Sequence, residues 1–400
     1  MLLLIIIIVT PRLELLLVGG IYLMKKFFVS SLVVCVVALS LVFAGAAFPI
    51  EEETVRIVDA WGRRVDVPSK VERVICSGPG CLRYLVYLNA QDFAVGVDSI
   101  EKRKSRFDSR PYAIAHPELK DKPLFGEFRG FDNPELILSL DPAPQVIFKT
   151  YANMGYDPDE LQAKTGIPVV VLNYGHLVAK RKDMERSLML MGKILGKEER
   201  AEEVIDFFNG LIEDLGMRTE DMPDDKRPSC YVGGIAYKGP HGVTSTEPNY
   251  PPFYFTDAVN VAFCGSSQNQ RQVVFSRENL LSADPDKIFI DLSTTQGDRS
   301  KNALYQLAND PEYKILSAVK KNEVYGLLPY NWYTQNHGSI LANAYYVGKI
   351  LYPERFKDID PMKKADEIYT FLVGKAVFEN MDKSFGNLAF RRINLNEIEW

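Results

Sequence analysis

The side chains best suited to chemistry in this chain are aromatic and hydroxyl-bearing. Tyr151, Tyr174, Tyr237, Tyr250, Phe253, Tyr254, Tyr330, Trp332 and Tyr333 fall in segments that read as loops at strand ends, and His176 and His241 accompany them. An aromatic face with a polar tip supplies both stacking area and a hydrogen bond, which suits a large, flat or ring-bearing small molecule. Arg129 and Arg271 add planar, bidentate donors for a carboxylate or an anionic complex. Ser77-Gly78-Pro79-Gly80, at the foot of a helical pattern, offers backbone amides to an anion, with Ser77 as a side-chain contact. No Lys-Ser or Lys-Thr pair closes that segment, so it is not a phosphate loop. Its glycines are expected to let the backbone approach a ligand.

Metal and covalent chemistry are poorly provided for. Of the four histidines, His116 before Pro117 and His337 before Gly338 read as residues of solvated turns. His176 and His241, one in each half, remain as the pair able to ligate an iron centre. A bare zinc or manganese ion asks for three or four converging ligands. Cys76 and Cys81 fit either a disulfide or two buried thiols, and their spacing is not that of a zinc knuckle. Neither a Gly-x-Ser-x-Gly elbow nor a His-Glu-x-x-His pair occurs, which removes the usual hydrolase signatures. A net charge of -5 argues against a nucleic-acid partner, and a composition 46% hydrophobic and 25% charged excludes disorder.

The elements that must position these residues alternate. Short β-branched runs at 71–75, 93–97, 146–149 and 167–172 are separated by helical patterns from Leu82, over 136–140 and over 161–165. Two longer helical patterns follow, over 184–195 and 198–215. In the second, Ala201, Val204, Ile205, Phe208, Leu211, Ile212 and Leu215 share one face. Strand runs resume at 230–232, 287–291 and 324–328, and helical patterns close the chain over 340–351 and 366–379. Such alternation predicts an α/β fold with mostly parallel sheets, arranged as one α/β lobe, a long helix and a second α/β lobe. Ligand crevices in these sheets lie outside the carboxyl ends of the strands, which directs attention to 76–81, 150–155 and 173–176. The expected boundaries are 55–180 for the first lobe, 183–222 for the helical connector, 227–383 for the second lobe and 384–400 for a tail.

The N-terminus has a different composition. Met24-Lys25-Lys26, the apolar run Phe27 to Phe43 and Ala44-Gly45-Ala46 reproduce the charged, apolar and small-residue parts of an export signal. Residues 1–47 are therefore read as a signal peptide or membrane anchor, with Met24 as the true start and residues 1–23 as an over-extended reading frame. Cys35 lies inside the apolar run, which argues against a lipid-modified cysteine. The remainder is expected outside the cytoplasmic membrane, periplasmic or at the cell surface.

Two segments echo each other. Glu135-Leu-Ile-Leu-Ser-Leu-Asp141-Pro142 precedes the run at 146, and Glu278-Asn-Leu-Leu-Ser-Ala-Asp284-Pro285 precedes the run at 287. Both read as a short surface helix, stopped before proline, feeding a core strand. With Asp59-Ala-Trp-Gly-Arg-Arg-Val-Asp-Val-Pro68, Val71-Glu-Arg-Val-Ile75, Thr165-Gly-Ile-Pro-Val169, Leu195-Gly-Lys-Glu-Glu-Arg200, Ser276-Arg-Glu-Asn-Leu280 and Pro329-Tyr-Asn-Trp-Tyr333, the chain resembles the substrate-binding proteins of ABC importers for iron complexes, haem and vitamin B12. The resemblance runs from about Val55 to about Phe371, and it implies two α/β lobes joined by one long rigid helix with the ligand cleft between them. It implies capture of a metal chelate (ferric siderophore, haem or corrinoid) and delivery to a permease with its cytoplasmic ATPase. It implies no intrinsic cofactor, the iron or cobalt being part of the cargo, and no enzyme activity. It also makes Glu135 and Glu278 the carboxylates that dock onto the permease. A bare metal ion or an oxyanion such as molybdate or tungstate is the alternative ligand, and a chelatase-type enzyme a more distant one. The expected ligand contacts are Ser77, Arg129, Tyr151, Tyr174, His176, Tyr237, His241, Tyr250, Arg271, Trp332 and Tyr333.

Overall fold

The computed structural model describes residues 53–104, 107–263, 265 and 272–398. The segment read as an export signal or membrane anchor, and Arg271, lie outside these residues. Among the described residues no helix is long and apolar enough to cross a membrane.

The chain enters through an antiparallel hairpin, β1 (Thr54–Val58) with β2 (Arg64–Pro68), in register from Thr54 opposite Pro68 to Val58 opposite Arg64. Asp59 builds its turn, one carboxylate oxygen accepting from the Trp61 and Arg63 amides at 3.0 and 2.9 Å. The other accepts from the Val171 amide at 3.2 Å, and the Ala60 amide donates to the Val171 carbonyl at 3.0 Å. The hairpin tip is thus pinned to the strand β8 (Val169–Leu172).

The first lobe centres on a parallel sheet in the order β3 (Val74–Ser77), β7 (Val146–Thr150), β8. All three strands are buried along their whole length, as apolar runs covered on both faces must be. A smaller sheet, β4 (Val97–Asp98), β5 (Leu124–Glu127) and β6 (Phe131–Asp132), flanks it. The run at 93–97 is not one strand. Asn89, left-handed at φ 53, ends the preceding helix, and Gln91–Phe93 forms a 3-10 turn before the short β4.

The second lobe holds a parallel sheet in the order β11 (Val259–Asn260), β9 (Ser229–Gly233), β13 (Lys287–Asp291), β14 (Val324–Leu327). Strands β10 (Ser245–Thr246) and β12 (Val273–Val274) pair antiparallel beside it. The echoed segments take equivalent places: helix Pro134–Leu138 leads into β7, and helix Arg277–Ala283 into β13, each strand lying inside its sheet.

A helix over Glu198–Thr219 connects the lobes, burying Ala201, Val204, Phe208, Leu211 and Leu215. At ~1.5 Å per residue it is on the order of 33 Å long. Near its start Arg200 donates to the Tyr87 carbonyl at 3.1 Å, and near its end Arg218 holds Asp358 through two bonds of 2.8 Å. The helical region expected over 366–379 is two helices, Pro361–Val373 and Phe378–Ser384, because Gly374 takes φ 77 and ends the first. The tail is structured. Gly326 donates to the Arg391 carbonyl, and Phe390 and Ile393 donate to the carbonyls of Gly326 and Val324, so the tail lines the edge of β14.

Candidate functional site

A cleft of about 910 Å³ opens between the lobes where the strand ends face each other. Its first-lobe wall is made by Tyr151–Asn153 after β7 and Asn173–His176 after β8, continued by Lys180 and Asp183. The hairpin tip adds Trp61, which is half exposed. From the second lobe come Glu247, Asn249, Pro251, Tyr254 and Gln335.

Tyr174 forms the floor. Its ring stacks on Tyr84 at 4.8 Å and on His337 at 4.9 Å between centroids, and its hydroxyl donates to the Gln335 carbonyl at 2.6 Å. Gly80, at φ 79, makes this possible, since a Cβ there would lie 2.2 Å from Tyr174 Cε2. The glycine admits the tyrosine ring to the backbone, which corrects the expectation that it admits a ligand.

Beneath the floor lies a buried charged cluster. Arg83 points its fork at the second lobe, reaching the Gln335 carbonyl at 2.7 Å and the Trp332 and Tyr333 carbonyls at 3.3 and 3.5 Å, and it also donates to the Tyr174 hydroxyl. Arg110 pairs with Glu101 and Asp108, each at 2.8 Å. Asp98 accepts from the Tyr333 hydroxyl and from the Ile100 amide. Burial drives its pKa up to about 7, against the pull of those hydrogen bonds.

Of the expected contacts, Tyr151, Tyr174 and His176 line the cleft. His176 accepts from the Ala179 amide through Nδ1 at 3.2 Å, so its neutral form carries the proton on Nε2. Ser77 does not reach the cleft. It is fully buried, donating to Asp132 at 2.7 Å and accepting from Lys149 at 3.1 Å, because β3 ends inside the core. Lys149 and Asp132 themselves pair at 2.5 Å with neither side chain exposed. The Arg129 guanidinium lies over the Phe128 ring at 5.0 Å, while its backbone amide donates to the Tyr333 hydroxyl at 2.9 Å. Tyr237 is exposed away from the cleft, and His241 is turned to it, Nε2 donating to the Tyr237 carbonyl at 2.8 Å. Tyr250 and Phe253 pack in the second-lobe core, with Tyr250 edge-on to Phe253. Tyr330 is buried and donates to Glu247. Trp332 and Tyr333 serve through their carbonyls and the Tyr333 hydroxyl, which join the lobes.

The two remaining histidines differ from the sequence expectation. His337 begins the helix His337–Leu351 and is fully buried in the aromatic stack. Desolvation beside Arg83 holds its pKa well below the ordinary value. His116 is mostly buried, with its ring nitrogens against Glu118 at 2.9 Å and the Val373 carbonyl at 3.0 Å. Cys76 and Cys81 are free, buried thiols. Among the described residues no three His, Cys, Asp or Glu side chains converge as a metal ligand set.

Sequence reasoning missed Trp61, Arg83, Glu247, Asn249 and Gln335. Trp61 was visible in the opening motif, and Gln335 adjoins the aromatic run 330–333, but their faces are set by the Asp59 turn and by Arg83. The carboxylates Glu135 and Glu278 are exposed in the first turns of their helices. Exposed Phe131 and Leu138 flank Glu135, and exposed Val274 precedes Glu278.

A family model described as periplasmic binding protein matches residues 74–330. The molybdate-binding protein MolA of Haemophilus influenzae is 25% identical over 338 residues, covering 78% of this chain and 89% of that protein. The iron-uptake system-binding protein of Bacillus subtilis is 24% identical over 194 residues, 48% of this chain and 54% of that protein. The solved structure of the Haemophilus influenzae MolA bound to molybdate superposes with a TM-score of 0.60 at 22% identity, covering 80% of this chain and 98% of that one; this likeness concerns the fold. With two parallel-sheet lobes, a connecting helix and an interlobe cleft inside the matched region, the chain belongs to the periplasmic binding protein family, the extracytoplasmic substrate-binding proteins of ABC importers.

Proposed function

We propose that the protein captures a metal chelate (a ferric siderophore, haem or corrinoid) and hands it to the permease of an ABC importer. In this reading the metal is cargo and the protein carries no resident cofactor. The observation that carries the reading is the cleft itself: about 910 Å³, lined by Trp61, Tyr151, Tyr174 and Tyr254 and interspersed with Asn153, Asn249 and Gln335. Sites for organic ligands span about 300–1,000 Å³, whereas a tetrahedral oxyanion is only a few times the ~30 Å³ share of a water molecule. Aromatic faces match a ring-bearing ligand, and side-chain amides match its polar periphery.

The second reading is a bare oxyanion. The relationship to the molybdate-binding MolA over 78% of the chain favours it, as does Lys180 at the cleft wall. The test is to incubate the purified protein with haem, ferric siderophores, cobalamin and molybdate, then read absorbance and bound metal after desalting. A one-to-one coloured complex supports the chelate. Retention of molybdate alone overturns it in favour of the oxyanion.

A further inference from the structure

The segment from Asn331 to Asn336 behaves as a strap from the second lobe held by the first. It is closed on itself: Asn331 bridges to Gln335, and Asn336 returns to the Tyr330 carbonyl through its amide at 2.7 Å and its side chain at 2.9 Å. Four further first-lobe groups grip it besides Arg83. Tyr174 binds the Gln335 carbonyl, the Tyr151 hydroxyl meets Thr334 Oγ1 at 2.6 Å, and the Tyr333 hydroxyl donates to Asp98 and accepts from the Arg129 amide at 2.9 Å.

The backbone is forced at the same place. Tyr333 and Thr334 are left-handed at φ 50 and 65, as are their first-lobe partners Tyr151 at φ 49 and Arg129 at φ 66. None is glycine, and aromatic and β-branched residues adopt this conformation only when their surroundings hold them in it. Strain on both sides of one contact marks a junction that the fold over-determines.

We propose that Arg83 is the positioning residue of the cleft: its guanidinium fastens the strap to the first lobe and thereby sets Tyr174 and Gln335 where they line the binding site. Arg83 can do this because it is wholly buried and its planar fork reaches three carbonyls of one loop and the Tyr174 hydroxyl together. A lysine would keep the charge and lose the fork. That these residues matter for ligand rests on the cleft being the binding site; the fastening itself is tested without ligand.

The experiment is hydrogen–deuterium exchange on the protein and its Arg83→Lys and Arg83→Met variants. Both variants are expected to speed exchange of the 331–336 amides at least tenfold while β7 and β13 keep wild-type protection. Unchanged exchange in the strap overturns the proposal. So does an equal acceleration everywhere, which would make Arg83 a core residue and nothing more. Should the Arg83 variants fail to fold, Tyr151→Phe combined with Tyr333→Phe removes the strap's bonds to Tyr151, Asp98 and the Arg129 amide and leaves Arg83 in place. Exchange of the 331–336 amides is then expected to stay within about threefold of wild type, and a selective tenfold acceleration, which would assign the fastening to those bonds, overturns the proposal.

Discussion

Burial outweighs the interactions favouring charge at Asp98, Asp291, Glu101 and Asp132, and it pushes the first two to about 7 and about 6. A carboxyl with a raised folded pKa stabilises the fold while protonated, and that contribution is lost as pH rises from the unfolded value through the folded one. Asp98→Asn should therefore gain stability relative to the parent as pH goes from 5 to 8; thermal melts across that range check it, and a pH-independent difference would refute it. Lys149 carries a different prediction. Burial raises the Asp132 pKa even beside that ammonium, so Lys149→Met would strand an unpaired buried carboxyl. Breaking such a pair costs about 3–5 kcal/mol, measurable by denaturant unfolding. Ser77, read as a ligand contact from its loop position, is a member of this pair's network. The sequence shows a serine before glycine and cannot show that the strand ends under a lysine.

At the scale of elements, the tail assigned no role from sequence protects a sheet edge. Phe390, Ile393 and Leu395 are buried, and backbone bonds tie 390–393 to β14. An uncovered edge strand is a template for pairing with other chains. Deleting residues 384–400 is expected to lower the melting temperature and promote aggregation, each buried apolar side chain lost having contributed about 1.5–3 kcal/mol. Light scattering during a thermal ramp reads both effects. The long helix was legible because an apolar stripe at three- and four-residue spacing has one structural meaning. The extended run at 93–97 was not, because a left-handed Asn89 redirects the chain and period-two reading is blind to that.

For the whole molecule, the two echoed helices place one exposed glutamate on each lobe, Glu135 and Glu278. If these dock the permease, replacing both by alanine leaves ligand affinity unchanged and abolishes stimulation of the transporter's ATPase. Loss of affinity instead would assign them to the cleft or the fold. Charged rim residues of this kind govern orientation and on-rate more than affinity.

The sequence by itself determined the alternation of strands and helices, the two-lobe plan, the connector and the aromatic character of the strand-end loops. These follow from local periodicity and from residue types that the backbone reads within a few positions. Only the tertiary structure decided which aromatics face the cleft. Tyr151 and Tyr174 reach the cleft, while Tyr250 and Tyr330 turn into the core and Tyr237 turns to solvent. Whether a loop side chain points to cleft, core or solvent depends on partners distant in the chain. Arg83 and Gln335 lie 252 residues apart, and no local pattern records their contact.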